Sequence, residues 1–412
     1  MNAVRRAAAA TVLVLAVAVP SQGQICFSPP GAFTVGGGAY AVASGDFNRD
    51  GVLDLAAVSS DLNSVQVAIG IGDGSFQSPA SFQVGTFPVS LEVSDLDRDG
   101  NLDIVVANNN SNDLSVLYGI GNGSVLPAVT LPLPSGAHGV TVADLNNDFA
   151  PDLVVAVGIA GVGVLLGTGS RTFGPVTIFP AGPPLFSFGI ITRDFNRDGR
   201  VDVAVANHVS DVVAVLLGNG SGGLLPPIIL SAGVSPFGLT SADFNSDGIL
   251  DLAIANRGTT SPLGSSNIMI RLGVGDGSFG TPTFFPSGSG SNGIAAADLD
   301  FDGYTDLAVA NQFDDTLAVL RGSGDGRFGP PIVFAVPPLT VLPEPFGLIV
   351  ADVNRDGRAD VVLADATGSL RIFLSCGASP VGIPTLGVTS LAILGLLIAL
   401  AGFIWLRGGV RL

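Results

Sequence analysis

The chain has 412 residues, 47% apolar and 12% charged, so it can bury a large core and does not fall in the disordered class. Its 57 Gly and 27 Pro demand frequent turns and favour many short strands over long helices. Seventeen arginines and no lysine stand against 34 acidic residues, a net charge of −17. That balance repels a nucleic-acid backbone, and the missing lysines remove the phosphate-binding loop and Schiff-base chemistry.

Residues 1–23 read as a secretory signal peptide: Arg5 and Arg6 precede an apolar run from Ala7 to Val19, then Pro20 and small polar residues, with cleavage near Gln24. A repeat domain is expected over 24–377. An acidic nonapeptide begins at Asp46, Asp95, Asp144, Asp194, Asp243, Asp298 and Asp352, at spacings of 49 to 55 residues. Each copy reads as four strands. An apolar strand enters the acidic stretch, and Asp-Leu-Ala-Val-Ala-Asn or a variant follows it. A third strand such as Val213 to Leu217 ends in a Gly-x-Gly turn, and a fourth starts near a Phe-x-x-Pro as at Phe76 to Pro79. Four short antiparallel strands per copy make one blade, so the expected fold is all-β: a seven-bladed β-propeller of four-stranded antiparallel blades, plus a C-terminal transmembrane helix.

A ring must join its ends. The seventh copy stops at Ser375 without a fourth strand, while Phe27, Pro29, Phe33, Val35 and Gly36 align with Phe76, Pro79, Phe82, Val84 and Gly85 of the first copy. The N-terminal strand is therefore expected to complete the last blade. Cys26 and Cys376 then fall on opposite sides of the junction, where a disulfide staples the ring. In an exported chain such a bond closes a loop of about 350 residues and adds on the order of 5 kcal/mol in the chain-entropy model.

In the nonapeptide, acidic or amide residues occupy positions 1, 3, 5 and 9, with Gly at position 6 in every copy but one. A cation of calcium's size takes six to eight oxygens at about 2.4 Å, and alternate residues of a tight loop aim their oxygens at one centre. The first loop offers Asp46, Asn48, Asp50 and Asp54, with the carbonyl of Val52; the second offers Asp95, Asp97, Asp99 and Asp103. The third has Asp144, Asn146, Asp148 and Asp152, and the fourth Asp194, Asn196, Asp198 and Asp202. The fifth has Asp243, Asn245, Asp247 and Asp251, the sixth Asp298, Asp300, Asp302 and Asp306, and the seventh Asp352, Asn354, Asp356 and Asp360. Up to seven calcium ions are expected. The third loop puts Phe149 where the turn wants Gly, so either the turn changes shape or its site is weakened.

Catalytic groups are sparse. His138 and His208 read as loop residues, and no Ser sits in a nucleophile elbow. Gly218, Gly220 and Gly223 match a dinucleotide fingerprint but lie in a hairpin turn. Glu92 and Arg193 interrupt first strands and read as structural charges that line the channel. Two copies carry insertions, between Arg257 and Asn267 and between Pro337 and Pro345. Both belong to the face opposite the acidic loops, which makes that face the candidate for ligand contact. At the C-terminus, residues 378–387 read as a linker. Val388 to Leu406 is an uncharged segment of roughly 28 Å as a helix. Arg407 and Arg411 in the tail, 407–412, are the basic flank expected inside.

The repeated nonapeptides resemble the FG-GAP or VCBS repeat family, whose blades also build the head of integrin alpha subunits. The resemblance implies a seven-bladed propeller with calcium between the first and second strands of each blade. Ile383-Pro384-Thr385-Leu386, followed by the apolar segment and arginines, resembles an IPTL-type bacterial sorting signal. The expected protein is an exported, calcium-stabilised surface binding or adhesion module without catalytic activity, membrane-anchored or released after processing. Its expected partners are the membrane and a protein or glycan ligand, not nucleic acid. The alternatives are a polysaccharide-active lyase or hydrolase, or a purely structural envelope protein.

Overall fold

The computed structural model describes residues 24–182, 189–259, 266–338 and 344–376. The segments expected to be the signal peptide (1–23), the linker and sorting motif (378–387), the transmembrane helix (388–406) and the basic tail (407–412) lie outside the described residues. Among the described residues, no helix is long and apolar enough to cross a membrane.

Among the described residues, twenty-eight strands form seven four-stranded antiparallel sheets. The first blade runs Val42–Gly45, Asp54–Ser59, Ser64–Ala68 and Ala80–Gln83 in spatial order. The next five blades repeat this order. The seventh comprises Pro345–Ala351, Asp360–Asp365 and Ser369–Phe373, with Gly31–Thr34 from the N-terminus as its outer strand. There Phe33 faces Leu370 as Phe82 faces Val65, and the bridge Phe27 to Ser375 matches Gly70 to Phe76 in the first blade. Cys26 and Cys376 are disulfide-bonded across this junction, their Cα atoms 5.3 Å apart.

Position in the blade explains each strand's composition. The second strand is buried on both faces in every blade, so it reads as an unbroken apolar run after a buried Asp, closed by a polar residue in all but the third blade, which ends at Val157. Fourth strands lie on the outside and alternate between exposed and half-buried. The core is divided into seven apolar clusters, one at each blade-to-blade interface. Phe47, Val58 and Val65 of the first blade meet Leu91, Ile104 and Val106 of the second. Val35, Val42 and Leu55 meet Val362, Ala364 and Leu370, closing the seventh blade onto the first.

Strand direction fixes two functional ends. First-to-second loops all emerge at one end of the channel, and second-to-third turns and fourth-to-first connections emerge at the other.

Candidate metal centres and the opposite channel mouth

Each acidic loop folds around its own side chains. In the first, Asp46 accepts the N–H groups of Asp50 (Oδ1, 3.1 Å) and Gly51 (Oδ2, 2.9 Å). Asn48 Oδ1 also accepts from Asp50, at 3.0 Å, and Asp50 Oδ1 accepts from Val52 at 2.8 Å. These short-range bonds turn the chain twice through left-handed conformations. Position 4, which is Arg49, Arg98, Asn147, Arg197, Ser246, Phe301 or Arg355, has φ between 59° and 64°. Position 6 has φ between 68° and 88°. Phe149 adopts φ 68° and leaves its ring 78% exposed, so the third turn keeps the shape of the glycine turns.

The ninth residue has a second role that spacing alone does not disclose. Asp54, Asp103, Asp152, Asp202, Asp251, Asp306 and Asp360 are fully buried. Each accepts two backbone N–H groups at 2.7 to 3.1 Å, one from the second position of its loop and one from the residue two past the end of the third strand. In the first blade the donors are Phe47 and Gly70. Burial pushes these carboxyls up, to about 6 at Asp103, Asp251 and Asp360 and about 7 at Asp306, against the pull of the N–H donors.

Carboxylates converge most closely in two loops. Asp95, Asp97 and Asp99 bring one oxygen each within 4.8 Å of one another, as do Asp298, Asp300 and Asp306. These two loops carry Asp at position 3, where the other five carry Asn. In those five the amide turns inward: Asn48, Asn146, Asn196, Asn245 and Asn354 each donate from Nδ2 to the fifth-position Asp at 2.8 to 3.2 Å. In the two Asp loops an arginine supplies the positive charge. Arg171, from the third blade, pairs with Asp97 and lies 3.2 Å from Asp99; Arg321 lies 3.2 Å from Asp300.

All the donors are oxygen, from carboxylates, amides and the seventh-position carbonyl, which is the set a hard divalent cation takes. Asp95 Oδ1 is buried without a hydrogen-bond partner, whereas the matching Asp46 atom accepts one. The residues therefore fit calcium. Positions 1, 3 and 5 and the seventh carbonyl would hold it, and the ninth carboxylate keeps lone pairs beyond its two backbone bonds.

The far mouth is built differently. A cavity of about 190 Å³ is lined by the starts of first strands, among them Tyr40, Phe237, Asn292 and Phe346. Tyr40 and Phe346 rings lie 4.5 Å apart. Arg257 stands over Phe313 at 5.0 Å and Phe237 at 5.8 Å. Asn292 donates to Gln312 (2.9 Å), which donates to Glu344 (3.1 Å). His138 sits inside a first strand, Ala137–Ala143, rather than in a loop as expected. It contacts Asn109, and burial, helped by His208, lowers its pKa to about 4. His208 does lie in a turn, beside Phe237.

Inside the channel, burial pushes the Glu92 carboxyl up to about 7 while Arg193 pulls the other way. Arg193 donates to the Thr192 carbonyl and is exposed; no ion pair joins it to Glu92. The strands that flank both insertions end or begin at the far mouth; residues 260–265 and 339–343 lie outside the described set. The mouth cluster went unread in the sequence because its members come from different copies. Its signal was available in the column six residues before each acidic loop, where Tyr40, His138, Phe237, Asn292 and Phe346 stand.

Seven blades, each with an oxygen-rich loop between its inner two strands, define a β-propeller of acidic-loop repeats. The FG-GAP-like repeat model matches residues 46–106, 95–155, 194–254, 255–309 and 298–363. The chain belongs to that family. No curated protein matches it. Among solved structures it is similar to BBS1N in complex with ARL6DN, at 13% identity and TM-score 0.59, over 87% of this chain and 99% of that one. It is similar also to virginiamycin B lyase from Staphylococcus aureus, at 12% identity and TM-score 0.58, over 84% and 99%. At these identities the likeness is one of fold.

Proposed function

We propose that the protein is an exported, calcium-stabilised binding module that works at the cell surface and presents its ligand site at the mouth opposite the acidic loops. The observation that carries this reading is the separation of chemistries between the two ends. At one end the side chains are consumed in folding their own loops, and a cation there acts on stability. At the other, aromatic rings and an amide from several blades line one cavity, with Arg257 against the Phe237 ring and Gln312 and Glu344 bonded in sequence behind Asn292. Binding is favoured over catalysis because Glu344, the carboxylate beside this end, accepts from the amide of Gln312, itself bonded to Asn292 of the cavity wall. The C-terminal apolar segment would tether the module until it is processed.

Extracellular modules bind calcium with dissociation constants of about 0.1 to 1 mM, so tenfold excess adds roughly 1.4 kcal/mol per occupied site. The test is thermal melting in calcium and in EGTA, beside glycan and protein arrays read in both. A lower midpoint in EGTA with calcium-dependent capture is the expected result. An unchanged midpoint removes the calcium part. Polysaccharide turnover abolished by Glu92→Gln would replace binding with catalysis.

A further inference from the structure

The cavity at the mouth opposite the acidic loops is open to solvent, measures about 190 Å³ and has no charged side chain in its lining. Tyr40, Phe237 and Phe346, from the first, fifth and seventh blades, are its aromatic wall residues. Tyr40 stacks on Phe346 with ring centres 4.5 Å apart and planes 31° apart, and Phe87 of the second blade stands 5.7 Å from Tyr40. Aromatic surface dominates this wall.

Hydrogen-bond acceptors are scarce there, although much of the wall is backbone. A Cβ on Gly189, Gly238, Gly293 or Gly347 would lie 2.5, 2.1, 2.3 or 2.7 Å from the carbonyl oxygen of Phe237, Asn292, Phe346 or Tyr40, so each of these carbonyls packs against a glycine of the preceding blade. The polar side chains are also engaged: Ser90 Oγ accepts from the Val140 N–H at 3.4 Å, and Asn292 Nδ2 donates to Gln312.

The surroundings are anionic. Asp61, Asp211, Asp314, Asp315 and Glu344 stand in the turns and connections of this end, and residues 183–188, 260–265 and 339–343 carry no charge. Two of these carboxylates flank Tyr40 without lining the cavity. Asp61 accepts the Gly38 N–H at 3.1 Å, and a Cβ on Gly38 would lie 3.4 Å from the Tyr40 ring; Glu344 precedes Phe346 by two residues. Burial raises the pKa of the Tyr40 hydroxyl most, and the charges of Asp61 and Glu344 add to it. Among the described residues two arginines belong to this end. Arg371 is buried in a pair with Asp365, and Arg257 already lies on a wall ring, Phe237, at 5.8 Å.

From this combination we infer that the mouth takes a quaternary ammonium group, an inference that rests on the reading of this end as the ligand face. Aromatic rings attract a cation to their negative faces, more strongly where water is partly excluded. The flanking carboxylates, in a chain of net charge −17, add attraction without contact. A quaternary nitrogen carries no N–H and loses nothing where acceptors are few. Primary ammonium and guanidinium groups would leave donors unpaired.

The experiment is calorimetry and saturation-transfer NMR on the full chain in calcium at low ionic strength. The probes are choline, its neutral isostere with carbon in place of nitrogen, and ethanolamine. Choline is expected to bind saturably, about tenfold or more above both comparisons, and to weaken as sodium chloride is added. Tyr40→Leu should weaken it by about fivefold or more, while Tyr40→Phe keeps it. Asp61→Asn combined with Glu344→Gln keeps an acceptor oxygen at each position and alters no wall residue; it should narrow choline's advantage over the isostere by about threefold or more. If Tyr40→Leu does not fold, that double variant decides. No saturable choline, equal affinity for the isostere, a preference for ethanolamine, or an advantage unchanged in the double variant overturns the inference. A ligand captured on the protein and glycan arrays and lost in Tyr40→Leu, with no choline bound, would defeat the ammonium and keep the ligand face. Silence of every probe and array defeats both.

Discussion

At position 149 a phenylalanine sits in a left-handed turn that six sister loops give to glycine. Holding an L-residue there costs roughly 1 to 2 kcal/mol, and the exposed ring recovers little by burial. Phe149→Gly should therefore stabilise the protein, by about 1 kcal/mol once glycine's greater unfolded-state freedom is subtracted; a lower melting midpoint would contradict this. Arg171 poses the opposite question, because it stands where a cation would act. Its guanidinium is 44% exposed and lies 5.1 Å from the centre of the Tyr118 ring. Exposed pairs are worth about 0 to 1 kcal/mol, so Arg171→Gln should tighten metal binding at the second loop by up to about fivefold. Terbium luminescence sensitised through Tyr118 reads that loop directly. An unchanged or higher midpoint would show that the arginine does not compete with the ion.

Within a blade, the ninth-position Asp is the tie between the inner loop and the outer hairpin. Asp202 accepts from Phe195 at 2.9 Å and Gly218 at 2.8 Å, in a site closed to water. Asp202→Ala leaves both donors unpaired and should cost about 2 to 5 kcal/mol, with Asp202→Asn intermediate because it keeps one acceptor oxygen. The measurement belongs in EGTA, where metal loss does not contribute; a change confined to calcium-containing buffer would make Asp202 a ligand and nothing more. This residue also shows how far sequence reaches. The strands and their order were legible because apolar runs, turns and the repeat period are local. The backbone duty of Asp202 was not, because Gly218 is sixteen residues away and only the hairpin brings it back. Asn292 was missed for the same reason on a larger scale: it is ordinary in its own copy, and only the packing of first strands from different blades sets it beside Tyr40, Phe237 and Phe346 around one cavity.

At the scale of the ring, closure and charge decide stability. The junction depends on one outer strand, Gly31–Thr34, and one disulfide spanning 350 residues. Cys376→Ser should lower stability by up to about 5 kcal/mol. Hydrogen exchange should quicken first in Gly31–Thr34, the strand whose only partner is Ser369–Phe373; uniform quickening across all blades would mean that the ring opens elsewhere. Charge gives a pH dependence whose sign can be worked out. Every ninth-position carboxyl is raised above its ordinary 3.8, and Asp103 reaches about 6 and Asp306 about 7. In metal-free protein the folded state thus binds protons that the unfolded chain has released. The stability from each group is fully present below about 3.8 and is lost as pH rises through its raised folded value, about 6 at Asp103, Asp251 and Asp360 and about 7 at Asp306. His138 works the other way, since its folded value of about 4 lies below the ordinary 6.5 and its contribution is lost on acidification. Seven carboxyls outnumber one imidazole. In EGTA the melting midpoint should therefore rise as pH falls from about 7 to about 5. In millimolar calcium it should stay level or fall over the same range, because protons then displace an ion that prefers the ionised loops. A metal-free midpoint that drops steadily over that range would mean that these carboxylates are held ionised by their backbone donors alone.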